Sequence, residues 1–168
     1  MPRLYMLLCL LGLVACNQPK EVSSIAPINW ESRRVLVPLG DTLSAGKTYL
    51  SVYSQVYSQD EHRTHDLTAT VSLRNTNISD SVYIETAVYY NTHGEAIRTY
   101  FDQPVYIRPM ETVEIIIDEK DQAGGTGANF LFGWKAPKNA DAPFFEAVMI
   151  STAGQQGLSF TTQGKNVK

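Results

Sequence analysis

The chain has 168 residues, enough for one domain with a buried core. Apolar residues make up 43% of it and charged residues 18%, a balance typical of a globular protein rather than a disordered one. The formal net charge is −3 and the basic residues are scattered, whereas a nucleic-acid-binding protein normally carries a clustered basic patch. We therefore expect no nucleic-acid partner.

The N-terminus has the pattern of an export signal. Arg3 supplies one positive charge, and residues 4–15 are almost entirely apolar, which is typical of a secretory signal peptide. This run is shorter than the roughly 20 residues that a membrane-spanning helix needs. The sequence Leu13-Val14-Ala15-Cys16 resembles the bacterial lipobox, and that resemblance implies cleavage after residue 15 and acylation of Cys16. The alternatives are a conventional secretory signal or a buried helix, with Cys16 incidental.

Acylation of Cys16 implies attachment to a membrane. Two or three acyl chains such as palmitate anchor a protein stably, whereas one chain binds only marginally. In enteric-type bacteria an aspartate after the cysteine retains lipoproteins in the inner membrane, and here Asn17 takes that position. We therefore expect a lipid-anchored protein of the bacterial cell envelope, at the outer membrane and facing the periplasm.

The cysteine count restricts the chemistry of the mature chain. The two cysteines are Cys9 and Cys16, and removal of residues 1–15 leaves Cys16 alone. An internal disulfide and a zinc site built on paired cysteines are then both impossible. The domain must therefore be stabilised by its hydrophobic core.

Residues 16–44 are interpreted as the lipidated N-terminus and a tether. The part from Asn17 to about Asn29 is polar, contains proline and shows no periodicity, which indicates a flexible linker. The run Val35-Leu36-Val37-Pro38 fits either a terminal strand or the linker, and its proline would confine a strand to a sheet edge. We expect the folded domain at residues 45–168.

Three long segments show the two-residue alternation of half-buried strands. They are residues 47–57, 66–75 and 82–90. The side chains predicted to face the core are Leu50, Val52 and Val56 in the first, Leu67, Ala69, Val71 and Leu73 in the second, and Val82, Ile84, Val88 and Tyr90 in the third.

Shorter strands follow at regular intervals. The predicted ranges are 96–100, 104–107, 112–117, 130–135, 144–150 and 158–162. Short strands at such spacing, with no helical periodicity, indicate an all-β protein with a single antiparallel, immunoglobulin-like β-sandwich. We expect Phe130, Phe132 and Trp134 to fill the space between the two sheets.

Several segments resemble a known family. They are residues 52–57 (VYSQVY), 67–76 (LTATVSLRNT), 124–130 (GGTGANF), 146–150 (EAVMI) and 155–157 (QQG). They resemble small bacterial proteins grouped as DUF3124, often lipoproteins, whose function is unknown. The resemblance runs from about Lys47 to Gly164 and implies a shared fold, but it brings no activity, substrate or site residue with it.

The segment 118–129, which we call the glycine loop, is one candidate binding site. Its candidate residues are Asp118, Asp121, Gly124, Gly125, Gly127 and Asn129. Backbone amides of such a loop bind anions, and its carboxylates bind calcium. It lacks both the Gly-Lys-Ser/Thr of a phosphate-binding loop and a following helix. The alternative is an irregular connection whose glycines permit positive φ.

His62 and His65 are a second candidate. They lie in Asp60–Asp66, where two imidazoles flanked by carboxylates would suit zinc or copper. Against this, Arg63 would repel a cation, and the segment also fits a polar hairpin loop. We expect no cofactor and leave a metal ion at these histidines as an open alternative.

Tyr49, Tyr53 and Tyr57 recur every four residues and therefore share one face of the predicted strand 47–57. That face is opposite the aliphatic one. An exposed stripe of aromatic rings is a surface for contact with a protein or a glycan. The alternative is that the rings cover a neighbouring sheet edge.

Catalysis finds little support in the sequence. Ser151 lacks the Gly-x-Ser-x-Gly context of a nucleophile elbow. We therefore expect a non-catalytic envelope lipoprotein that binds a partner, an envelope protein, through an edge strand or the tyrosine face. The alternative is a metal- or anion-binding domain that uses the glycine loop or the two histidines.

Overall fold

The computed structural model describes residues 28–36, 39–40, 42–152 and 157–168. Regular structure in this part of the chain is almost entirely β-strand, with short 3-10 turns at Glu31–Arg33 and Gly125–Gly127. The strands are β1 (Leu43–Ser51), β2 (Gln55–Ser58), β3 (Asp60–Asp66), β4 (Thr68–Arg74), β5 (Val82–Tyr90), β6 (Ala96–Thr99), β7 (Val105–Ile107), β8 (Thr112–Ile117), β9 (Asn129–Pro137), β10 (Phe144–Ser151), β11 (Leu158–Gln163) and β12 (Lys165–Val167).

The strands form two antiparallel sheets and a separate ribbon. The six-stranded sheet has the order β12-β1-β9-β5-β6, and β7 also pairs with β5. The four-stranded sheet has the order β11-β10-β4-β8. Within the described residues, β2 and β3 pair with each other alone. The two sheets pack face to face, which confirms the predicted all-β antiparallel sandwich.

The core lies between the inward faces of the two sheets. In and just before β4 every second side chain is fully buried, as the alternation predicts. Phe132 of the larger sheet stacks on Phe145 of the smaller sheet, with ring centroids 4.3 Å apart. Phe130, Phe132 and Trp134 are buried between the sheets as expected. Burial of each large apolar side chain contributes about 1.5–3 kcal/mol.

The strand predicted over residues 47–57 is wrong at its centre. β1 ends at Ser51 and β2 begins at Gln55. Between them the backbone bonds to the glycine loop: the Val52 N–H donates to Ala128 O (2.9 Å) and the Ser54 N–H to Gly125 O (3.2 Å). Because these bonds take the chain out of the sheet, no continuous strand face joins the two halves.

The inward face predicted for β5 is wrong in its second half. A β-bulge after Ile84 shifts the register of β5 against β9. A bulge inserts one extra residue, so the alternation of side chains reverses beyond it. The residues that reach the core after the bulge are therefore Ala87 and Tyr89, and not Val88 and Tyr90.

The folded part of the chain begins earlier than residue 45. Trp30 packs against Phe101 with ring centroids 5.0 Å apart, and Arg33 Nη2 lies 2.7 Å from Glu111 Oε1. The tether prediction for residues 16–44 is therefore wrong for its later part. Residues 16–27 of that prediction lie outside the described residues, as do residues 37–38 of the run that fitted either a strand or the linker.

Two polar strands were not predicted. β3 covers the segment expected to be a hairpin loop, and β12 follows the last predicted strand. β12 pairs with β1, which places Lys165 opposite Tyr49 and Val167 opposite Lys47. Polar strands lack the apolar alternation on which sequence-based prediction depends, and their pairing is decided by the neighbouring strand.

Candidate functional site

The glycine loop is held by residues from two other connections. In the turn after β5, Thr92 Oγ1 donates to Gly124 O (3.1 Å) and accepts from the Gly127 N–H (2.8 Å). Ser54 binds Gly125 O through its backbone N–H (3.2 Å) and its hydroxyl (3.3 Å). Asn129 is the first residue of β9 and not part of the loop proper. The loop is thus built into one end of the sandwich.

Backbone amides of the glycine loop donate to the loop's own oxygens. The Lys120 N–H donates to Asp118 Oδ1 (2.8 Å), and the Asp121 N–H donates to Asp118 O (2.9 Å). The Ala123 N–H donates to Asp121 Oδ1 (3.3 Å). An anion-binding nest needs amides that point at a ligand. These amides already have acceptors, so the arrangement gives no support to an anion site.

Asp121 forms a largely buried ion pair with Arg98. The Asp121 side chain is 5% exposed, and its Oδ2 accepts a hydrogen bond from Arg98 Nη2 at 2.8 Å. Arg98 also donates to Tyr100 Oη (3.2 Å) and lies over the ring of that tyrosine. Burial raises the pKa of Tyr100, so its phenol stays protonated. Sequence reasoning missed this pair because no local pattern connects residues 23 positions apart.

Two glycines of the loop are required by geometry. A Cβ on Gly124 would overlap the hydroxyl of Tyr89, and Gly125 has a φ of 74°, which L side chains rarely adopt. Tyr89 is fully buried beneath the loop, and burial raises its pKa. The glycines therefore allow the loop to cover Tyr89, which favours the interpretation of the loop as a structural connection.

His62 and His65 lie in the ribbon formed by β2 and β3. The His62 side chain is 81% exposed, and its Nε2 lies 3.6 Å from Glu61 Oε1. Among the described residues, no group of three or more His, Cys, Asp or Glu side chains could hold a metal ion. The structure thus brings no third ligand to these histidines, and a metal site there stays a prediction without geometric support.

The three tyrosines do not share a strand. Tyr49 lies in β1, Tyr53 in the break after it, and Tyr57 in β2. Tyr53 packs against Phe160 of β11, with ring centroids 6.0 Å apart. Tyr49 is 38% exposed and Tyr57 is 62% exposed. The break between the strands therefore divides the predicted stripe, and Tyr53 covers part of the neighbouring sheet as in the alternative interpretation.

Among the described strands, β8 forms a free edge of the four-stranded sheet. Within the described residues, β4 is its one strand partner. The Asn75 N–H donates to Glu111 O (3.0 Å), just before the strand begins. In an antiparallel pair the hydrogen-bonded residues alternate with the others. The bonds to β4 therefore continue from every second residue of β8, beginning at Val113.

The remaining residues of β8 direct their backbone polar groups away from β4. They are Thr112, Glu114 and Ile116, and their side chains lie on the outer face of the sheet. The strand contains no proline or lysine, two residues with which natural proteins commonly protect an edge. An edge of this kind accepts an additional strand from another chain.

Cys16, the predicted site of acylation, lies outside the described residues. In the part of the chain that the structure describes, no helix is long and apolar enough to span a membrane.

Comparison with known proteins gives a family but no activity. Residues 45–167 match the family described as "Protein of unknown function (DUF3124)". No curated protein sequence matches the chain. Among solved structures, the crystal structure of Thermotoga maritima 1070 is similar, with a TM-score of 0.46 and 11% identity over 71% of this chain and 92% of that chain. Because the family match covers most of its length, the chain belongs to DUF3124, which confirms that part of the predicted resemblance.

Proposed function

We propose that this DUF3124 member is a lipid-anchored envelope protein whose sandwich binds another protein through the free edge of β8. The observation that carries the binding role is the row of outward backbone groups at Thr112, Glu114 and Ile116. An added strand would satisfy these groups and extend the four-stranded sheet. The role is non-catalytic: the protein recruits or positions its partner at the membrane.

The lipobox-like sequence at residues 13–16 supports the anchor. Acyl chains on Cys16 would hold the domain at the periplasmic face of a membrane. Asn17, in place of aspartate, favours the outer membrane. Attachment confines both the protein and an envelope partner to one surface, which raises their effective concentration and allows a modest edge contact to suffice.

The opposite edge of the same sheet is less suited to this role. β11 continues through Gly164 into β12, which joins the other sheet by pairing with β1. Thr162 Oγ1 of β11 also donates to Ser51 O (2.6 Å). This edge is therefore bent towards the larger sheet, whereas β8 makes no comparable link among the described residues.

Charge indicates the kind of strand that fits β8. Glu114 is exposed at the centre of the edge; it accepts a long hydrogen bond from Ser72 Oγ (3.5 Å), and no described basic side chain forms an ion pair with it. Ile116 presents an apolar side chain two residues further along the same face. Opposite charges directly across two strands are stabilising. The partner strand is accordingly one in which a lysine or arginine faces Glu114 and an apolar residue faces Ile116.

Site-directed cross-linking in intact cells tests the proposal. A photoreactive residue replaces Thr112 in the full chain, and the matched control carries it at Thr161 on β11. We expect a covalent adduct with an envelope protein from position 112 and none from position 161. Cys16→Ser should abolish the adduct, because the unanchored chain is no longer confined to the membrane.

A second pair of variants separates edge pairing from simple proximity. Glu114→Pro removes the outward N–H but none of the bonds to β4, whereas Glu114→Ala keeps the backbone donor. We expect the adduct from position 112 to disappear with proline and to persist, weakened, with alanine. Equal adducts from wild type and Glu114→Pro, or no adduct from wild type, would contradict the proposal.

A further inference from the structure

The outer face of the six-stranded sheet carries a cluster of lysines. The cross-strand register places Lys165 beside Tyr49, and Lys47 between Val167 and Gly133. Lys168 follows at the end of β12. Lys47, Lys165 and Lys168 are exposed and form no ion pair with any described acidic side chain. We call these three residues the lysine cluster.

Two grooves cross this face. The first, of about 460 Å³, lies over Gly133, which presents no side chain, and is bordered by Lys47, Val167 and Lys168. The second, of about 250 Å³, lies beside Pro104. Glu85 borders both grooves and Lys135 borders the second, and Lys135 Nζ lies 2.9 Å from Glu85 Oε1.

The charge of the grooves is positive although the chain is acidic overall. Among the described residues, Glu85 is the one acidic residue that borders either groove, and Lys135 neutralises it. Lys47 and Lys168 then remain uncompensated, in a chain whose formal net charge is −3. The outer face of the four-stranded sheet has the opposite charge balance, because it carries two acidic residues, Glu114 and Glu146, and one basic residue, Arg74. An anionic surface would therefore attract one face of the sandwich and repel the other.

The N-terminal segment first contacts the larger sheet at β7, where Arg34 forms a β-bridge with Val105, and then borders the second groove. The Val35 N–H donates to Pro104 O (2.8 Å), and Val35, Leu36 and Leu39 border the second groove. Leu36 is 91% exposed. After this contact with β7, the segment therefore places Leu36 at the second groove, on the face that carries Lys135. Exposed Leu36 adds an apolar side chain of the kind that inserts at a membrane interface.

We infer that the lysine cluster and the first groove dock on the anionic phospholipid headgroups of the membrane that carries the anchor. The inference rests on the proposed anchor at Cys16. Each lysine near an anionic membrane increases partitioning by about fivefold, so three lysines give about a hundredfold. An increase of about a hundredfold in partitioning is too small to recruit a protein from solution. The lipid anchor, however, already holds the domain at a high effective concentration next to the membrane, so the same increase is enough to orient the anchored domain.

This orientation leaves the free edge of β8 accessible. β8 belongs to the four-stranded sheet, and the lysine cluster lies on the outer face of the other sheet. An acidic protein segment would also suit three lysines. Exposed Leu36 beside the second groove favours the membrane, because an apolar side chain on a lysine-bearing face inserts at a lipid interface, whereas an acidic protein segment offers it no partner.

Amine labelling of the acylated protein tests the inference. The protein is purified from membranes and reconstituted into vesicles of phosphatidylcholine alone or of an equal mixture with phosphatidylglycerol. We expect labelling of Lys47, Lys165 and Lys168 to be several-fold slower in the anionic vesicles. Exposed Lys120 and Lys138, which lie in connections outside this face, should react equally in both. At about 1 M salt, where the screening length falls to about 3 Å, the protection should disappear.

Variants show whether the cluster itself causes the orientation. Lys135 shares the face and serves as the reporter when the cluster is replaced. In anionic vesicles we expect Lys135 to be protected in wild type and in the control Lys120→Gln/Lys138→Gln. In Lys47→Gln/Lys165→Gln/Lys168→Gln it should react as fast as in neutral vesicles. Equal unfolding midpoints of the two variants would establish that both are folded.

The possible failures are distinguishable. Equal labelling of the cluster in both kinds of vesicle would overturn the inference while leaving the anchor intact. Protection in isolated cell envelopes but in neither vesicle would overturn it in favour of an acidic protein. A mass spectrum without acyl chains on Cys16 would contradict the proposed anchor, and with it the inference that depends on it.

Discussion

The glycine loop and the β2–β3 ribbon are both polar segments with candidate ligand residues, yet they pack in different ways. The loop covers Tyr89, binds Thr92 and Ser54, and contains an aspartate paired with Arg98. The ribbon belongs to neither sheet, and most of β3 is exposed. Candidate residues in the loop are therefore part of the fold, whereas His62 and Tyr57 in the ribbon are largely exposed. Substitutions should separate the two segments by their effect on stability.

The largest effect is expected from removal of Arg98. Arg98→Leu leaves the Asp121 carboxylate buried without its cation, and loss of one partner from a buried pair costs up to 3–5 kcal/mol. Arg98 is itself 28% exposed, so we expect a loss of about 2–3 kcal/mol in the free energy of unfolding. Denaturant unfolding measures it. A loss below about 0.5 kcal/mol is the range of ordinary surface substitutions, and it would mean that the ion pair in the loop contributes as little to stability as the exposed residues of the ribbon.

Gly124→Ala should come next. The new Cβ would overlap the Tyr89 hydroxyl, so the loop or the ring must shift, at a cost of about 1–3 kcal/mol. In the double variant Gly124→Ala/Tyr89→Phe the overlapping oxygen is absent, so part of the loss should be recovered. Chemical denaturation of both variants and of Tyr89→Phe completes the cycle. Strictly additive losses would show that the loop does not depend on this contact.

The contact between Glu111 and Arg33 holds the N-terminal segment on the sandwich, and we expect it to make the free energy of unfolding depend on pH. The hydrogen bond from Arg33 lowers the pKa of Glu111 below its usual value. A carboxylate whose pKa is lowered by folding stabilises the folded state above its unfolded pKa, and that contribution is lost as the pH falls through the folded pKa.

We expect Glu111→Gln to cost about 1 kcal/mol at neutral pH, and we expect this cost to shrink as the pH falls through the lowered pKa of Glu111, where wild type loses the same contribution. Thermal unfolding across this range measures the difference between the two proteins. A difference that stays constant with pH would show that the Arg33–Glu111 contact does not act through its charge.

The smallest effects are expected in the ribbon. The His62 side chain is 81% exposed and Tyr57 is 62% exposed. His62→Ala and Tyr57→Ala should each change the free energy of unfolding by less than about 0.5 kcal/mol. The same denaturant titration as for the loop variants tests this. A larger loss would mean that the ribbon packs as tightly as the loop and that its residues are not free for binding.

Features that are decided by neighbouring residues in the chain were predicted correctly, and features that depend on a distant strand were not. The strand over residues 66–75 and its four inward side chains were predicted correctly, because alternation within one strand decides which face is buried. The second half of β5 was wrong because a bulge after Ile84 reverses the alternation, and the sequence before it contains no signal for the extra residue.

The candidate sites were predicted less well for the same reason. Asp121 was identified as a ligand residue from its loop, but its partner Arg98 lies on another strand. The lysine cluster was missed, since Lys47 and Lys165 meet only when β12 pairs with β1. The tyrosine stripe failed where Val52 and Ser54 bond to the glycine loop instead of a neighbouring strand.

The sequence by itself determined the fold class, the positions of most strands and the family. Each of these depends on patterns within about ten neighbouring residues, where apolar alternation and turn residues act directly on the backbone. The tertiary structure decided which polar residues are structural and which are free. That distinction depends on the partner each group finds across the sandwich, as Asp121 finds Arg98 while the His62 side chain stays 81% exposed in the ribbon.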